Sequence, residues 1–531
     1  MAYAITQTCC TDASCVAACP VNCIHPTPGE PDFGTTESLY IDPRACIDCG
    51  ACADACPVEA IFPVDRLFGA DAAHAELNRQ YFAGTGGGGD WDAPRFPRSL
   101  PAELSAPRIA VVGTGPAAGY AVQHLLRCTD AEITLIDRVP VPGGLVRYGV
   151  APDHGATKGI GRSFANAFRH ARVRMHLNVE VGRDVTHEEL AAHHHAVLYA
   201  VGASGHRELG VPGEQLVGSL PATEFVGWCN ARPDVPAARV DLSGERAVVV
   251  GTGNVALDVA RLLLTDPEEL AGTDIAEHAL EALRASKIRE VVLLGRRGPA
   301  EAAYTRPEFL DLRHRAGIDV VVDEHGGAAG DIAAAAPGST AGLLQDVPVR
   351  EVDWALPPPA GRRLVLRFRS EPAEVLGDQQ VRAVRTAGGA EIPAGLLVRS
   401  IGSRGVPVPG VPFDAECGVI PNERGRVAPG TYVVGWAKRG ATGGIGANRA
   451  CAAETVDALL DDVEARRLPE PAGGDKEFAR LVRTRVPDAL GRREAEAIDR
   501  AEQQRGQRAG RPRVKFATVP ELLRAAKRVR R

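Results

Sequence analysis

Residues 108–119 read Arg-Ile-Ala-Val-Val-Gly-Thr-Gly-Pro-Ala-Ala-Gly, an apolar stretch that ends in a glycine-rich turn. Apolar β-branched residues followed by closely spaced glycines predict a buried strand, a tight turn and a helix. A second copy of the pattern begins at residues 247–251, Ala-Val-Val-Val-Gly. Two such units predict an α/β protein with two Rossmann-like dinucleotide-binding domains, each built on a parallel sheet covered by helices.

The glycines of the first unit have the spacing of a pyrophosphate site. Gly113 allows the tight turn, and Gly115 lets backbone amides approach a phosphate at the helix N-terminus. Asp137 ends the next predicted strand, where an acid can hold a ribose hydroxyl group. Because a carboxylate repels a 2′-phosphate, this unit is predicted to bind FAD or NAD. The alternative is a turn that holds no ligand.

The second unit differs at the position that selects the nucleotide. Gly251 and Gly253 open the helix, but Arg296 and Arg297 follow the next predicted strand, where an acid would be expected. Guanidinium groups are always charged and pair well with a dianionic phosphate, so the unit is predicted to bind NADPH rather than NADH. An exposed charge pair without this role is the alternative. A helical insert at about residues 266–287 lengthens the spacing between the two motifs.

Nine of the thirteen cysteines lie before residue 57. The second half of this block reads Cys46-x2-Cys49-x2-Cys52-x3-Cys56-Pro57. Thiolates at every third residue let a tight loop ligate three corners of an iron–sulfur cluster, while the fourth cysteine, before proline, ligates another cluster. A structural zinc site is disfavoured, since four-cysteine zinc sites usually divide their ligands into two distant pairs.

The first half of the block departs from this spacing and reads Cys9-x2-Asp12-x2-Cys15-x3-Cys19-Pro20. Three thiolates support a [3Fe-4S] cluster, and Asp12 as an oxygen ligand would allow a fourth iron. A solvated loop acid is the alternative for Asp12. Cross-ligation assigns Cys9, Asp12, Cys15 and Cys56 to cluster 1, and Cys19, Cys46, Cys49 and Cys52 to a [4Fe-4S] cluster 2. Cys10 is an alternative to Cys9, and Cys23 has no assigned role.

Composition limits the possible functions. The 531 residues predict about three domains, and the net charge of −6 is concentrated in residues 1–66, where nine acidic residues face two basic ones. This distribution argues against nucleic-acid binding and favours docking of an acidic module.

No uninterrupted apolar stretch approaches the roughly 20 residues of a membrane span, and no leader pattern opens the chain. Clustered reduced thiols predict a cytoplasmic location.

Two known families resemble segments of the chain. Residues 1–66, with their Cys-Pro pairs, resemble the bacterial seven-iron and eight-iron ferredoxins. From about residue 108 onward the chain resembles the adrenodoxin reductase family of ferredoxin–NADP reductases. The matching segments are 143–154, 178–182, 253–258, 295–299, Gly435-Trp436 and Gly440-x-Thr442-Gly443. One departure is Gly143-Gly144, where the family commonly has an aromatic residue before the second glycine.

The resemblance implies the remaining contacts. The expected flavin residues are Gly113, Gly115, Ala117, Ala118, Asp137, Leu145, Val181, Trp436, Gly443, Gly444 and Ile445. The expected NADP residues are Gly251, Thr252, Gly253, Asn254, Val255, Arg296, Arg297, Glu308 and Gly443.

The predicted domains are a ferredoxin domain (1–66), a flexible tether (67–106), the N-terminal segment of an FAD-binding domain (107–202), an NADP-binding domain (203–398), and the C-terminal segment of the FAD-binding domain with a basic tail (399–531).

These assignments predict a ferredoxin–NADP+ reductase. Hydride would pass from NADPH to FAD, and single electrons would then pass to the clusters of the chain's own ferredoxin domain, to an external ferredoxin or to a cytochrome P450 system. Hydride transfer itself requires no acid–base residue, so none is assigned as catalytic. A disulfide reductase is rejected because the later cysteines, at 128, 229, 417 and 451, are isolated. The alternatives are an electron-input subunit of a larger enzyme, such as a glutamate synthase, and a non-enzymatic redox sensor.

Overall fold

The N-terminal module is a small α+β unit in which two cysteine-bearing helices lie beside short antiparallel strand pairs. A computed structural model describes residues 2–83, 98, 100–104 and 106–527. The elements of the module are β1 (Tyr3–Ile5), α1 (Ser14–Ala18), β2 (Ile24–His25), β3 (Tyr40–Ile41), α2 (Ala51–Ala55), β4 (Ile61–Pro63) and α3 (Ala73–Tyr81). Strand β1 pairs with β4 and β2 pairs with β3. The core of the module combines a few isoleucines with buried cysteines, so its apolar content is small.

The predicted tether from residue 67 is wrong at its beginning, because helix α3 is part of the module. The Asn78 side chain accepts hydrogen bonds from the backbone N–H groups of Ile5 and Ile41 and donates to the Ile5 carbonyl. These hydrogen bonds pair backbone polar groups of β1 and β3 with the helix. The side chains of Leu77 and Phe82 are buried beside Asn78. The Gly86–Gly89 run, Pro94 and Pro97 of the tether, and the terminal Arg528, Arg530 and Arg531, lie outside the described residues.

The first Rossmann unit follows residue 107. Its elements are β5 (Arg108–Val112), α4 (Pro116–Cys128), β6 (Glu132–Asp137), α5 (Gly144–Tyr148), α6 (Gly155–Lys158), α7 (Ile160–Phe168), β7 (Val173–Leu177), α8 (His187–His193), β8 (Ala196–Tyr199) and β9 (Gly205–His206). The strand, turn and helix predicted from residues 108–119 are present, with Pro116 in the first turn of α4, where its missing N–H group costs nothing.

The second unit contains a wider sheet and an antiparallel extension. Its elements are β10 (Ser219–Pro221), α9 (Ala222–Cys229), β11 (Arg246–Val250), α10 (Asn254–Leu264), α11 (Pro267–Ala271), α12 (Glu277–Arg284), β12 (Glu290–Leu294), α13 (Arg306–His314), β13 (Ile318–Asp323), α14 (Ala328–Ala334), β14 (Val349–Arg350), β15 (Arg362–Arg367), β16 (Pro372–Leu376), β17 (Ala383–Thr386), β18 (Glu391–Pro393) and β19 (Leu396–Arg399). The strands of the main sheet are parallel, in the order β10-β19-β11-β12-β15-β13-β14.

The chain then returns to the first unit. The remaining elements are β20 (Ser403–Arg404), β21 (Arg426–Ala428), β22 (Thr431–Val433), α15 (Trp436–Arg439), α16 (Ala447–Glu464), α17 (Asp475–Arg485), α18 (Arg492–Arg508) and α19 (Val519–Lys527). The first sheet has the order β21-β22-β8-β5-β6-β7, so the C-terminal segment completes it. No helix among the described residues has the length and hydropathy needed to cross a bilayer.

Candidate functional site

The glycine-rich turn after β5 forms a groove at the N-terminus of α4. Gly113 has a φ of 110°, and a Cβ atom there would lie 2.4 Å from the Ala200 carbonyl oxygen, so only glycine fits. A Cβ atom on Gly115 would meet only the Gly144 Cα, at 3.9 Å, so backbone amides are accessible beside it. The arrangement fits a pyrophosphate at the positive end of the helix dipole.

Asp137, the predicted ribose ligand, is held in place at the end of β6. Thr114 Oγ1 donates a 2.5 Å hydrogen bond to Asp137 Oδ2, and the Val139 N–H group donates to Oδ1. The same Thr114 hydroxyl accepts from the Gly143 N–H group, which joins the glycine-rich turn to the Gly143-Gly144 loop. Burial raises the pKa of Asp137, and these hydrogen bonds partly offset that effect.

The other expected flavin residues come from distant segments of the chain, each of which follows a strand of the first sheet, so they lie near the carboxyl end of its parallel strands. A Cβ atom on Gly435 would lie 2.6 Å from the Ala117 Cβ, so Trp436 begins directly beside α4. The Trp436 indole donates to the carbonyl oxygens of Thr442 and Gly443, which fixes the loop before α16. Val181 packs in one apolar cluster with Ala437, while the side chain of Leu145 is 37% exposed. Gly444 and Ile445 accept hydrogen bonds from the Asn448 side chain.

The glycine turn of the second unit has the same geometry. Gly251 has a φ of 122°, and a Cβ atom there would lie 2.3 Å from the Ser400 carbonyl oxygen. Beside Gly253 the space is open, with only Ala303 atoms at 3.9 Å. The Asn254 side chain is fixed by two hydrogen bonds to Thr305. The predicted NADP residues Thr252 and Val255 lie in the same turn and the first turn of α10.

The two arginines predicted to select NADPH follow β12 and are both exposed. The Arg296 side chain is 73% exposed and lies 3.9 Å from Glu371, a distance at which an exposed pair contributes little. Arg297 is exposed beside it. Weakly engaged guanidinium groups at the end of a Rossmann strand fit a 2′-phosphate ligand.

Glu308 lies in a half-buried charged cluster that the sequence reasoning did not identify. Single ligand atoms of His154, Asp258 and Glu308 lie within 4.8 Å of one another. Arg261, itself buried, contacts both carboxylates, with Nη2 at 2.6 Å from Asp258 and Nη1 at 3.7 Å from Glu308. Burial raises the pKa of Glu308. Because the cluster joins α10, α13 and the segment after α5, only the tertiary structure assembles it.

The cysteines assigned to cluster 1 surround one small cavity. Its wall includes Cys9, Cys10, Asp12, Cys15 and Cys56. Burial raises the pKa values of Cys9, Cys10 and Cys15, and neighbouring Cys56 and Asp12 add to the effect. Cationic iron would offset both the burial and the mutual repulsion of the thiolates, so the donor set fits an iron–sulfur cluster.

The thiols assigned to cluster 2 are neighbours of one another. Cys52 has Cys46 and Cys19 as charged neighbours, and burial raises its pKa to about 11. Cys23, which had no assigned role, lies in this group with its sulfur 3.4 Å from that of Cys19. Cys49 is exposed on the same loop.

The Asp12 carboxylate is engaged by protein groups. Its oxygens accept hydrogen bonds from the Ser14 N–H group at 3.1 Å and the Ser14 hydroxyl at 2.6 Å. Arg449 Nη1 lies 3.7 Å from Oδ2 and donates to the Asp12 carbonyl oxygen at 2.6 Å. Arg449 belongs to α16, so this contact joins the N-terminal module to the first Rossmann unit.

The module contacts both Rossmann units. The Gly446 N–H group, one residue after Ile445, donates a 2.9 Å hydrogen bond to the Cys10 carbonyl oxygen. Arg162 of α7 pairs with Glu59 at 2.9 Å, and Arg306 of α13 donates to Gln80 of α3. The pair of Arg162 and Glu59, like the contact of Arg449 with Asp12, joins an arginine of the body to an acidic residue of the module. This is the charge complementarity that the sequence indicates.

Comparison with known proteins agrees with this geometry. A 4Fe-4S binding domain model matches residues 39–62, and a pyridine nucleotide-disulphide oxidoreductase model matches residues 107–297. The probable ferredoxin/ferredoxin–NADP reductase of Mycobacterium bovis is 47% identical over 99% of this chain and 95% of its own length. The chain belongs to the ferredoxin/ferredoxin–NADP reductase family.

Relatives without the whole N-terminal module match the reductase body. The human mitochondrial NADPH:adrenodoxin oxidoreductase is 39% identical over 81% of the chain and 94% of its own length. The solved structure of Mycobacterium tuberculosis FprA in complex with NADPH is 41% identical, has a TM-score of 0.72, and covers 79% of this chain and 99% of FprA. The reductase therefore combines a flavin- and NADP-dependent oxidoreductase body with an iron–sulfur module.

Three contact residues of the reductase were missed by sequence reasoning. His154 ends the segment 143–154 and Asp258 ends the segment 253–258, and both segments carry the resemblance to the adrenodoxin reductase family. A polar residue within such a segment could therefore have been predicted as a contact residue. Arg449 had no local signal, because a single arginine in a helix is usually a solvated charge.

Proposed function

We propose that this reductase oxidises NADPH at its two Rossmann units and delivers electrons through bound FAD to the iron–sulfur clusters of its own N-terminal module. When bound, FAD and the clusters supply the conversion of a two-electron hydride into single electrons. The M. tuberculosis FprA structure holds NADPH, and the matching of this chain along almost all of that protein supports the same substrate here.

The residues of the chain bind and orient the two nucleotides. Gly113 and Gly115 open the groove for FAD, with Asp137 for its ribose and with Trp436 and Gly443–Ile445 along the flavin. Gly251 to Val255 cradle the pyrophosphate of NADPH, and Arg296 and Arg297 pair with its 2′-phosphate. Glu308 of the second unit lies 3.9 Å from His154 of the first unit, so the two side chains would together contact the nicotinamide nucleotide.

The module holds two clusters. Cys19, Cys46, Cys49 and Cys52 would ligate a [4Fe-4S] cluster, and Cys9, Cys15 and Cys56 a [3Fe-4S] cluster. The hydrogen bonds of Asp12 to Ser14 and its contact with Arg449 support a structural role for this carboxylate instead of iron ligation.

The contact between Gly446 and Cys10 carries the proposal of internal transfer. Gly446 directly follows the Gly443–Ile445 segment, and Cys10 adjoins Cys9, so the contact sets the cluster 1 thiols against the loop expected to line the flavin. The docked position keeps electron transfer within the molecule without a diffusing partner. An external ferredoxin or a cytochrome P450, in the reducing cytoplasm, would then receive electrons from the module.

The test is anaerobic reduction with excess NADPH followed over time, by rapid-mixing absorbance for the flavin and by low-temperature EPR of samples frozen at intervals for the clusters, in the wild type and in Gly446→Ala. The added Cβ would lie 2.0 Å from the Cys10 carbonyl oxygen and 2.5 Å from the Asp12 nitrogen, which displaces the module. We expect unchanged flavin bleaching and cluster reduction slowed about tenfold or more, since small displacements at a reacting centre have large effects on rate.

The matched control is Gly474→Ala, where an added Cβ meets no heavy atom within 4 Å. FAD content, measured from the absorbance ratio, shows whether the Gly446 variant still binds its flavin. Clusters that stay oxidised in the NADPH-reduced wild type would rule out internal transfer. Equal rates of cluster reduction in the wild type and Gly446→Ala would remove the proposed route.

A further inference from the structure

A large cavity, separate from the small cavity at cluster 1, lies beside helix α5. Its volume is about 880 Å³, and it is enclosed by α7, α18 and the segment 511–515. None of the residues assigned above to FAD, NADP or the clusters lines it. Its volume falls in the range of pockets that bind small organic molecules.

One wall of the cavity is apolar. Val146, Phe164, Phe168 and Met175 border it, each less than 10% exposed. Tyr120 packs edge-on against Phe164 at 4.9 Å, so this wall is fixed by the contact between α4 and α7. Such a surface favours the hydrocarbon portion of a ligand.

The opposite wall contains two buried lysines that share one carboxylate. Lys158 Nζ lies 2.6 Å from Asp274 Oδ1, and Lys515 Nζ lies 2.7 Å from Asp274 Oδ2. Both ammonium groups also donate to the Asn230 side-chain oxygen, which is neutral. The side chains are 12% and 1% exposed, so two lysines are buried with a single carboxylate between them. Burial and the neighbouring Lys158 lower the pKa of Lys515, and a bound anion would favour the charged form of both lysines. A buried charge is costly unless it is paired.

The arginines beside the triad are mostly paired with carboxylates. Arg147 pairs with buried Glu502 at 2.6 Å, but its Nε atom is buried with no hydrogen-bond partner among the described residues. Arg513 shares the same Glu502 and also pairs with Asp499. Arg492 stands exposed on the rim. The lining as a whole contains seven basic and four acidic residues.

We propose that this cavity binds an amphipathic organic anion, namely a carboxylate with an acyl or aromatic body. The carboxylate pairs with Lys158 and Lys515, and the apolar body packs on Phe164 and Phe168. The site is separate from the two nucleotide sites, so the proposal does not depend on the proposed electron path.

The test uses the full-length holoenzyme saturated with NADP+, so that anions cannot bind at the nucleotide site. Binding of decanoate is measured by isothermal titration calorimetry, with decylammonium as a probe that has the same chain and the opposite charge. We expect decanoate to bind at one site per chain and decylammonium not to bind.

Three variants locate the binding site. Ala165→Trp places a large side chain in the cavity from α7 and keeps both lysines, and it should abolish decanoate binding. Lys158→Gln should weaken it about tenfold, as expected for the loss of one charge-assisted hydrogen bond. Arg492→Gln should weaken it less, whereas Arg493→Gln, exposed on the same turn but outside the lining, should leave it unchanged.

Unaltered FAD content and circular dichroism establish that each variant is folded. The proposal is overturned if the wild type does not bind decanoate, if decylammonium binds equally well, or if folded Ala165→Trp binds decanoate like the wild type. Since Ala165→Trp keeps both lysines, its result separates occupation of the cavity from a general effect of charge.

Discussion

At the scale of single residues, Arg296 and Arg297 determine the expected nucleotide preference. Their guanidinium groups are exposed at the end of β12 and have no strong partner there apart from the distant Glu371, as far as the described residues show. A 2′-phosphate would gain hydrogen bonds to charged groups, each contributing about 1.5–3 kcal/mol.

Replacing both arginines with glutamine should therefore lower kcat/KM for NADPH about a hundredfold and change it little for NADH. Steady-state kinetics with the two nucleotides, using ferricyanide as acceptor, measure this ratio. The control is Arg289→Gln, since Arg289 pairs with Glu245 at the opposite end of β12. Equal losses for NADPH and NADH would show that the pair supports the fold and not the specificity.

Asp12 is the second informative residue. Its carboxylate is hydrogen-bonded to Ser14 and lies beside Arg449, so we expect Asp12→Ala to leave a [3Fe-4S] cluster intact. Asp12→Cys adds a fourth thiolate and should convert the cluster to [4Fe-4S]. Low-temperature EPR of the oxidised protein distinguishes the two forms, and Asp54→Ala, on the exposed side of α2, serves as control. A [3Fe-4S] signal that appears only in Asp12→Ala would identify Asp12 as an iron ligand.

At the scale of elements, α8 and α17 are held on the first sheet by His194. This side chain is 1% exposed, bonded to the Leu190 carbonyl and the Thr134 hydroxyl, and edge-on to Phe478 of α17. Burial lowers the pKa of His194 to about 4, and the nearby charges of His193, Arg108 and His195 act in the same direction. The folded state therefore holds the neutral ring.

Because the pKa of His194 is lower in the folded than in the unfolded chain, protons favour unfolding. Its contribution to stability is complete above about pH 6.5 and is lost as the pH falls toward 4, by roughly 2–3 kcal/mol. Urea denaturation at pH 7.5, 6 and 5 should show this loss. His194→Asn should be less stable at pH 7.5 but should have a flatter pH dependence, while exposed His314→Asn should follow the wild type. An unchanged slope in His194→Asn would assign the acid sensitivity to other groups.

At the scale of the whole molecule, two regions with different sources of stability are joined. The reductase body has large apolar cores under both sheets. The N-terminal module has a small core of ten buried residues, of which four are cysteines and four are isoleucines. A module of this size usually needs cross-links or metal to fold.

Removal of the clusters with an iron chelator under mild oxidation should therefore unfold the module alone. Limited proteolysis should then cleave within residues 2–83, while the chain from about residue 107 stays intact and keeps NADPH–ferricyanide activity. The intact protein treated without chelator is the control. A module that resists protease after iron loss would show that α3 and the docking contacts are sufficient to hold it.

The sequence predicted both Rossmann units because their signals are local. A strand, a turn that only glycine can adopt and a helix are specified by adjacent residues such as 108–119. Helix α3 was missed because its role depends on Asn78 reaching Ile5 and Ile41, which are far from it along the chain. Residues 325–345 are rich in alanine and glycine, a composition that predicts a loose insert, but they include α14, which buries Ala328 and Ile332 in the core of the second unit.

The sequence by itself determined which chemical groups this reductase offers: two glycine-rich turns, an acid after one strand, an arginine pair after another, and the spacing of the cysteines. Only the tertiary structure decided which of these groups meet. Gly446 and Cys10, Arg449 and Asp12, and the triad of Lys158, Asp274 and Lys515 each join segments separated by more than a hundred residues. The spacing of neighbouring residues determines the hydrogen bonds within a turn or a helix. Contacts between distant segments depend on how whole helices and strands pack, and a short sequence motif does not predict that packing.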